Sequence, residues 1–445
     1  LLLSIEKLVY GGDGLARTPT AADGRNIVRN MAVFVPFVLP GERVEAEIRQ
    51  EKPGFARASI TALVEASPER IDGRCPYFQD CGGCHYQHIP YARQVEFKAE
   101  ILRETLQRIA KLELKSEIKL HPSSPWNYRN RTRLQIGTET KFALGYFRFG
   151  SHEFLPIGEC PISSPLLNRV IGRLLVLQGL NCPATVEEIE LFADAEDERL
   201  LAWAFCGREA DTKDLSRWGE ALVQEVPEIM GVTFFSSRQR AENDDTPFEQ
   251  KILAQSGAKA LRYRTNTHEY QVNAGAFFQV NRHLIDDLIS TVTGDGDVTG
   301  ELALDLYAGV GLFSAALAKN FHHILGVEAS QTAHADFVQN VPANVKAVGA
   351  RTEDYLKSVY PMSRAVRKRP DLVVMDPPRS GAGKAVIRSL IELGAPSIRY
   401  VSCDPATLAR DLAPLVAAGY HVEQAHLFDL FPQTFHIESV MLLAR

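Results

Sequence analysis

The sequence predicts an α/β protein with a small closed β-barrel at residues 1–64, a β-rich middle at 65–268, and a doubly wound, mostly parallel sheet at 269–445. Three observations carry this prediction. From residue 269 onward, short apolar runs ("LALDLYA", "HILGVEAS", "VKAVGA", "DLVVMDPP", "IRYVSCD", "GYHVEQAHLFDL") alternate with helix-length segments, as in a parallel sheet with helices on its faces. The first 64 residues instead alternate apolar and polar positions between glycine turns. The length of 445 residues exceeds what one hydrophobic core usually serves, so more than one domain is expected.

In the first segment, "NIVRNMAVFVPFVL" and "ERVEAEIRQ" are set off by "YGGDG" and "PGERV". Turn glycines between short strands fit a small barrel of the oligonucleotide-binding kind, and equally any small β-domain. With 45% hydrophobic and 23% charged residues the chain reads as globular. Its apolar stretches fall short of the ~20 residues a membrane-spanning helix needs, and its start lacks a basic-then-apolar leader pattern. A cytoplasmic location, no membrane partner and a monomer are expected. A formal charge of −6 offers no global attraction for nucleic acid, so any RNA contact must come from local basic surfaces.

The middle opens with "CPYFQDCGGC", where Cys75, Cys81 and Cys84 stand in a C-x5-C-x2-C spacing, and Cys160 in "IGECPISS" is a possible fourth ligand. Such spacing suits a zinc ion or an iron–sulfur cluster and does not separate them. Cys182 and Cys206, each alone in apolar surroundings, are expected in the core. In "YARQVEFKAEILRETLQRIAKL", Val95, Ile101, Leu102, Leu106 and Ile109 recur near helical spacing, predicting a helix at 95–110 that can pack on the C-terminal domain. The segments "RTRLQIG", "FALGYFRFG", "EEIELFA", "LLAWAFCG" and "GVTFFSS" read as strands, and "RQRAENDDTPFEQ" as an exposed loop. Arg129, Arg131 and Arg133 are spaced by two, which on a strand gives one face, with Tyr128 beside them. Arginine forks with an aromatic ring suit phosphates and unpaired bases, against the alternative of an ordinary solvated strand.

In the last segment, "LDLYAGVGLFSAALA" sets Asp305 near a strand end, Gly309 and Gly311 in the turn, and a helix after it. Ser314 stands where a dinucleotide motif would carry a third glycine. Glu328 closes the next strand, where a carboxylate can accept both ribose hydroxyls of an adenosine. Asp376 sits in "VVMDPPRSG", held by two prolines. Upstream, "AGAFFQVN" offers Gln279 and Asn281 to a ligand while Phe277 and Phe278 pack. Together these point to one adenosine-containing cofactor.

Taken in order, "FFQVN", "LDLYAGVGLFS", "VVMDPPRSG", "YVSCDPATLARDL" and "HIESVMLL" resemble the S-adenosylmethionine-dependent RNA 5-methyluridine (uracil-C5) methyltransferases. The resemblance covers nearly the whole chain. The barrel looks like that family's TRAM domain, an OB-like RNA-binding module, and the cysteine cluster looks like its iron–sulfur motif. The resemblance implies a Rossmann-like class I methyltransferase domain, S-adenosylmethionine as cofactor, and a 4Fe-4S cluster on Cys75, Cys81, Cys84 and Cys160. It also implies an RNA partner, with ribosomal RNA favoured over transfer RNA, and contacts to cofactor or substrate from Gln279, Tyr307, Glu328 and Asp376. Leu312 departs from the pattern, since some members carry a cofactor-contacting Asn there.

Uracil C5 is too weak a nucleophile to take a methyl group unaided. A thiolate adding to C6 makes it an enolate carbon, and a positioned base must later remove the C5 proton. Cys403, between a strand and the helix "PATLARDLAPLVAAG", suits the first role. Helix N-H groups favour its thiolate and the adjacent Asp404 opposes it. The resemblance makes Glu438 the proton acceptor, with His436 beside it. Arg379 and Asp404 are expected to support rather than react. Two alternatives remain at this level: a nucleobase amino-group methyltransferase using the "DPP" loop, and a noncatalytic RNA-binding protein using barrel and cluster.

Overall fold

A computed structural model describes residues 1–18, 30–137, 141–207, 209–236, 251–294, 296–359 and 369–445. The N-terminal strands β1 (Leu2–Leu8), β2 (Asp13–Arg17), β3 (Ala32–Pro36), β4 (Arg43–Lys52) and β5 (Phe55–Glu65) close in the order β1-β2-β3-β5-β4. Alternation decides which side chains point inward. Leu3, Ile5, Val33, Val35 and Val44 are buried in the barrel core while their neighbours face outward.

Next come α1 (Tyr91–Thr105), continued by a π-helical turn at Leu106–Ala110, and the short β6 (Lys119–His121). The middle then builds β7 (Arg131–Gly137), β8 (Ala143–Phe147), β9 (Phe154–Pro156), α2 (Pro165–Val176), β10 (Val186–Ala193), β11 (Leu200–Cys206), α3 (Thr212–Glu225), β12 (Ile229–Ser236) and β13 (Ile252–Gly257). Among the described residues these strands form one sheet in the order β13-β12-β11-β10-β7-β8-β9. Both faces are covered. Along β11, Leu200, Ala202, Ala204 and Cys206 pack under α2 and α3, whereas Leu201, Trp203 and Phe205 join the core shared with the C-terminal domain. That explains why "LLAWAFC" is apolar throughout rather than alternating.

After the hairpin β14 (Ala260–Arg264) and β15 (Glu269–Asn273) the chain becomes doubly wound. It runs through α4 (Ile285–Thr293), β16 (Gly300–Leu306), α5 (Leu312–Leu317), β17 (Phe321–Glu328), α6 (Gln331–Asn340), β18 (Val345–Gly349) and α7 (Thr352–Asp354). It finishes with β19 (Leu372–Met375), α8 (Gly383–Leu393), β20 (Ser397–Ser402), α9 (Pro405–Ala417), β21 (His421–Phe428) and β22 (Glu438–Ala444). The sheet order is β18-β17-β16-β19-β20-β22-β21-β6. Strands β18 to β20 are parallel, and β22 inserts antiparallel between β20 and β21. Leu302, Leu304 and Leu306 of β16 face the core of α1, α8 and α9, and Ala303 faces that of α4 and α5.

Two features cross the sequence-defined segments. Strand β6, within 65–268, pairs parallel with β21 at the edge of the C-terminal sheet. Helix α1 and the turn that continues it place Ile101, Leu102 and Leu106 in the core that holds Leu408 and Leu412 of α9. It is pinned there by a fully enclosed ion pair, Lys98 Nζ to Asp429 Oδ1 at 2.6 Å. The predicted loop "RQRAENDDTPFEQ" lies outside the described residues. No helix among those described is long and apolar enough to cross a membrane.

Candidate active site

The turn after β16 is shaped by residues with positive φ, Tyr307 at 64°, Gly309 at 56° and Gly311 at 90°. Gly311 cannot be replaced without moving the core, since a Cβ there would sit 2.4 Å from the Phe337 ring. Glu328, at the end of β17, holds this turn. Its Oε2 accepts from Gly309 N at 2.8 Å and its Oε1 from Ser330 N at 2.6 Å. Each oxygen keeps a further lone-pair site for a ligand hydroxyl. Beneath the turn, Asp305 is fully enclosed and accepts from Ser314 Oγ at 2.6 Å. The serine that replaces a dinucleotide-type glycine therefore binds this carboxylate.

Burial raises Asp305 above the usual carboxylate range, and Glu328 adds to it. Asp376, just past β19, is raised by burial first and by Asp305 second. Gln279 is 7% exposed and its backbone carbonyl accepts from Asn130 Nδ2 at 3.0 Å. Its sequence neighbours behave differently from expectation. Asn281 spends its amide on Leu430 O and Ser123, so it ties loops together and does not face a ligand, whereas Phe277, expected to pack, is 60% exposed.

Cys403 leaves the carboxyl end of β20 and enters α9, which starts with Pro405 and is capped by Asp404. The Asp404 Oδ1 accepts from Ala406 N at 3.0 Å and Thr407 N at 2.8 Å. Burial pushes the Cys403 thiol up to about 12. Glu438, Asp376 and Asp404 push the same way, and the Arg379 guanidinium opposes them. Asp404 thus both caps the helix and disfavours the thiolate.

Glu438 reaches the same place from a distant part of the chain. The antiparallel register of β20 and β22 pairs Ser402 with Ser439, so Cys403, one step beyond the ladder, stands opposite Glu438. Opposed cross-strand residues carry Cβ atoms about 5 Å apart. Glu438 is not a solvated turn residue, being 6% exposed. Burial, and after it the charge of Asp376, raises its carboxyl well above the usual range, against Arg379. Arg379 hangs on the "DPPRSG" loop, whose backbone is tied to α9 by Thr407 Oγ1 to Arg379 O at 3.1 Å and Arg410 to Ser380 O at 2.8 Å. His436 is pushed down to about 3, chiefly by burial and next by Arg379, so its ring is neutral near pH 7. One contact has no signal in the motifs: Tyr10 of the barrel donates its hydroxyl to the Cys403 carbonyl at 3.3 Å.

The four cluster cysteines meet elsewhere. Cys75, Cys81, Cys84 and Cys160 all line one cavity of about 580 Å³ beside β7 and β8. Burial pushes Cys81 up to about 11 and Cys84 up to about 12, with Cys160 adding to both. Among the described residues no three His, Cys, Asp or Glu side chains are arranged to hold a single metal ion. Arg129 lines this cavity and its Nε is enclosed without a partner.

The expected arginine face is therefore corrected in part. Arg131 is turned inward over Phe192 and Trp203 and donates to Ala276 O at 2.9 Å. Tyr128 is fully buried and donates to Pro432 O at 3.1 Å, so it cannot stack a base. Arg133, 47% exposed, pairs with Glu188 over the Phe205 ring.

Comparison with known proteins agrees with this architecture. Residues 90–445 match the family described as tRNA (uracil-5-)-methyltransferase, and residues 1–61 match the TRAM domain. A relative in Chromohalobacter salexigens, the 23S rRNA (uracil(1939)-C(5))-methyltransferase RlmD, is 34% identical over 461 residues, covering 100% of this chain and 89% of its own. An uncharacterised RNA methyltransferase of Caldanaerobacter subterraneus is 30% identical, covering 100% and 97%. Among solved structures, the Pyrococcus abyssi tRNA (uracil-54, C5)-methyltransferase in complex with S-adenosyl-L-homocysteine superposes with a TM-score of 0.73 at 24% identity, covering 100% of both chains. With its TRAM barrel and methyltransferase sheet, the chain belongs to the tRNA (uracil-5-)-methyltransferase family, the S-adenosylmethionine-dependent enzymes that methylate C5 of uracil in RNA.

Proposed function

We propose that methylation proceeds through a covalent bond between Cys403 and C6 of the target uracil, with Glu438 as proton acceptor and ribosomal RNA as substrate. The observation that carries the mechanism is the β20–β22 register, which sets a thiol opposite a buried carboxylate at the carboxyl end of the sheet. In such sheets ligands bind beyond those ends. Burial and the neighbouring carboxylates favour the protonated thiol, and Arg379 is the group whose charge favours the thiolate needed for attack.

The thiolate then forms an S–C6 bond, and the C5–C6 π electrons move toward the C4 oxygen as an enolate. S-adenosylmethionine, when bound, would supply the electrophilic methyl group for C5, the S–CH3 electron pair remaining on the sulfur of the leaving S-adenosylhomocysteine. The Glu438 carboxylate accepts the proton still on C5, the freed electron pair restores C5=C6, and the S–C6 bond breaks to return the thiolate. Tyr307, Glu328 and Asp376, at the carboxyl ends of β16, β17 and β19, and Gln279, in the segment between β15 and α4, are assigned to hold cofactor and base. To expose C6 the uridine must leave its stack, which the exposed Phe277 ring beside Gln279 could receive.

A 4Fe-4S cluster on Cys75, Cys81, Cys84 and Cys160 is part of the same proposal. Four thiols around a cavity wider than one ion, beside an unpartnered arginine Nε, suit an anionic multi-atom group. Such a cluster, when bound, would cross-link the residue 75–84 loop to Cys160. Ribosomal RNA is favoured because the relatives at 34% and 32% identity in Chromohalobacter salexigens and Halomonas elongata are both named as 23S rRNA enzymes.

RNA carrying 5-fluorouridine tests the mechanism, because fluorine cannot leave as a proton. The expected result is a stable protein–RNA adduct that needs S-adenosylmethionine and disappears in Cys403→Ala. An adduct that survives this substitution would sink the assignment. For the target, mass-spectrometric mapping of RNA from cells lacking the enzyme should show an unmodified uridine in ribosomal RNA. Loss in transfer RNA alone would reject that choice.

A further inference from the structure

The barrel and the catalytic sheet meet at one side chain. Tyr10 lies in the turn between β1 and β2, just before Gly11 and Gly12, whose φ values of 109° and 93° let the chain reverse. A Cβ on Gly12 would stand 3.2 Å from the His85 ring, so the turn lies directly on His85. The barrel is seated firmly at this point, because its Leu8 and Leu39 are buried in the same core as α1 and α9.

From that seat Tyr10 makes two contacts with the catalytic machinery. Its hydroxyl donates to the Cys403 carbonyl at 3.3 Å. Its ring meets Phe435 edge-on, with centroids 5.6 Å apart and planes at 88°. Phe435 also touches His85 at 4.7 Å and His436 at 4.3 Å, immediately ahead of the strand that begins with Glu438. The Cys403 carbonyl falls between structures: β20 has ended, and the Thr407 N-H one helical turn on is taken by the Asp404 side chain. The donor this carbonyl meets is Tyr10, whose hydroxyl also faces the Asp404 carboxylate, so the ring sits against both the nucleophile's peptide and its neighbour. Burial, and after it the charge of Asp404, raises the Tyr10 hydroxyl above its ordinary value, so it keeps its proton throughout the working pH range.

We propose that Tyr10 is a positioning residue of the active site, holding the nucleophile's peptide through its hydroxyl and the base-bearing segment through its ring. The barrel is thereby part of the reaction geometry as well as of RNA docking. This rests on the assignment of Cys403 and Glu438 above.

The test compares Tyr10→Phe, which removes the hydroxyl and keeps the ring contact, with Tyr10→Ala, which removes both, in the full-length enzyme. Single-turnover trapping of 5-fluorouridine RNA should slow about fivefold in Tyr10→Phe, the worth of one neutral hydrogen bond, with RNA Kd unchanged and Tm lowered by no more than about 2 °C. Tyr10→Ala should in addition slow product release from ordinary uridine RNA, lowering kcat without a matching rise in KM. Trapping by Tyr10→Phe within twofold of wild type overturns the proposal. A loss that merely follows weakened RNA binding overturns it too, making Tyr10 a docking residue. If the wild type itself traps nothing, the Cys403 assignment fails first and takes this inference with it.

Discussion

The carboxyl end of the C-terminal sheet and the cysteine cavity beside β7 and β8 both hold thiols driven to high pKa, about 12 for Cys403 and for Cys84 alike. The main cause, burial, is the same in both, but the neighbours are not. Around Cys403 the further pressure comes from carboxylates, Glu438, Asp376 and Asp404, with Arg379 opposing them. Around Cys84 it comes chiefly from another thiol, Cys160. A thiol crowded by thiols is relieved by ligation, which removes all their protons together. A thiol crowded by carboxylates is relieved only when a cation or an electrophile arrives. Thiol pKa alone therefore does not separate nucleophile from ligand; the identity of the neighbouring charges does.

The largest effects should come from exchanging the two kinds of cysteine. Cys403→Ala should abolish methylation, by on the order of 10⁴-fold, and leave iron content and Tm as they are. Cys84→Ser should do the reverse, losing iron and lowering Tm while the remaining folded protein still forms the 5-fluorouridine adduct. If Cys403→Ala also loses iron, the two regions are not independent. Next in size, Glu438→Gln should cut turnover about 10²- to 10⁴-fold while adduct formation persists, seen as protein–RNA complex accumulating on ordinary uridine RNA. Methylation at an unchanged rate would mean that another group takes the proton.

Smaller effects test the charges. Arg379→Gln removes the cation that opposes Glu438, Asp376 and Asp404, so alkylation of Cys403 by iodoacetamide should slow about tenfold at pH 8, as one pKa unit would give. An unchanged pH profile would remove Arg379 from the account. The smallest effect is on stability. The folded-state pKa of Glu438 lies above its unfolded value, so ionisation costs the folded state, and the cost appears as pH rises past the unfolded pKa. Glu438→Gln should therefore melt higher than wild type at pH 8, with the gap closing toward pH 4, where the carboxyl is protonated in both states. A Tm gap independent of pH would assign the difference to packing.

Much of this was legible along the chain. The strands of the C-terminal sheet announce themselves because each is a short apolar run between helices, and Gly309 and Gly311 are readable as turn glycines, although the Phe337 ring that Gly311 accommodates is visible only in the structure. The four cysteines could be grouped by spacing and by the family resemblance. The arginine series misled for a physical reason. Spacing by two predicts a shared face, but it cannot say that Arg129 lines the cysteine cavity or that Arg131 lies over Phe192 and Trp203. Phe277, expected to pack, is exposed, and Asn281, expected to face a ligand, is buried, because exposure at a loop depends on what packs over it.

By itself, then, the sequence determined the local pattern: which segments form strands, where the turns must be glycine, and which residue types are available for thiol and carboxylate chemistry. Pairing was left to the tertiary structure. Cys403 and Glu438 are 35 positions apart, and only the insertion of β22 between β20 and β21 makes them opposite. The contact from Tyr10 to Cys403 spans 393 positions, Lys98 to Asp429 spans 331, and β6 reaches the far edge of a sheet begun 180 residues later. Periodicity reports the face a residue presents. Register and docking, set by the burial of apolar surface between whole elements, report what that face meets.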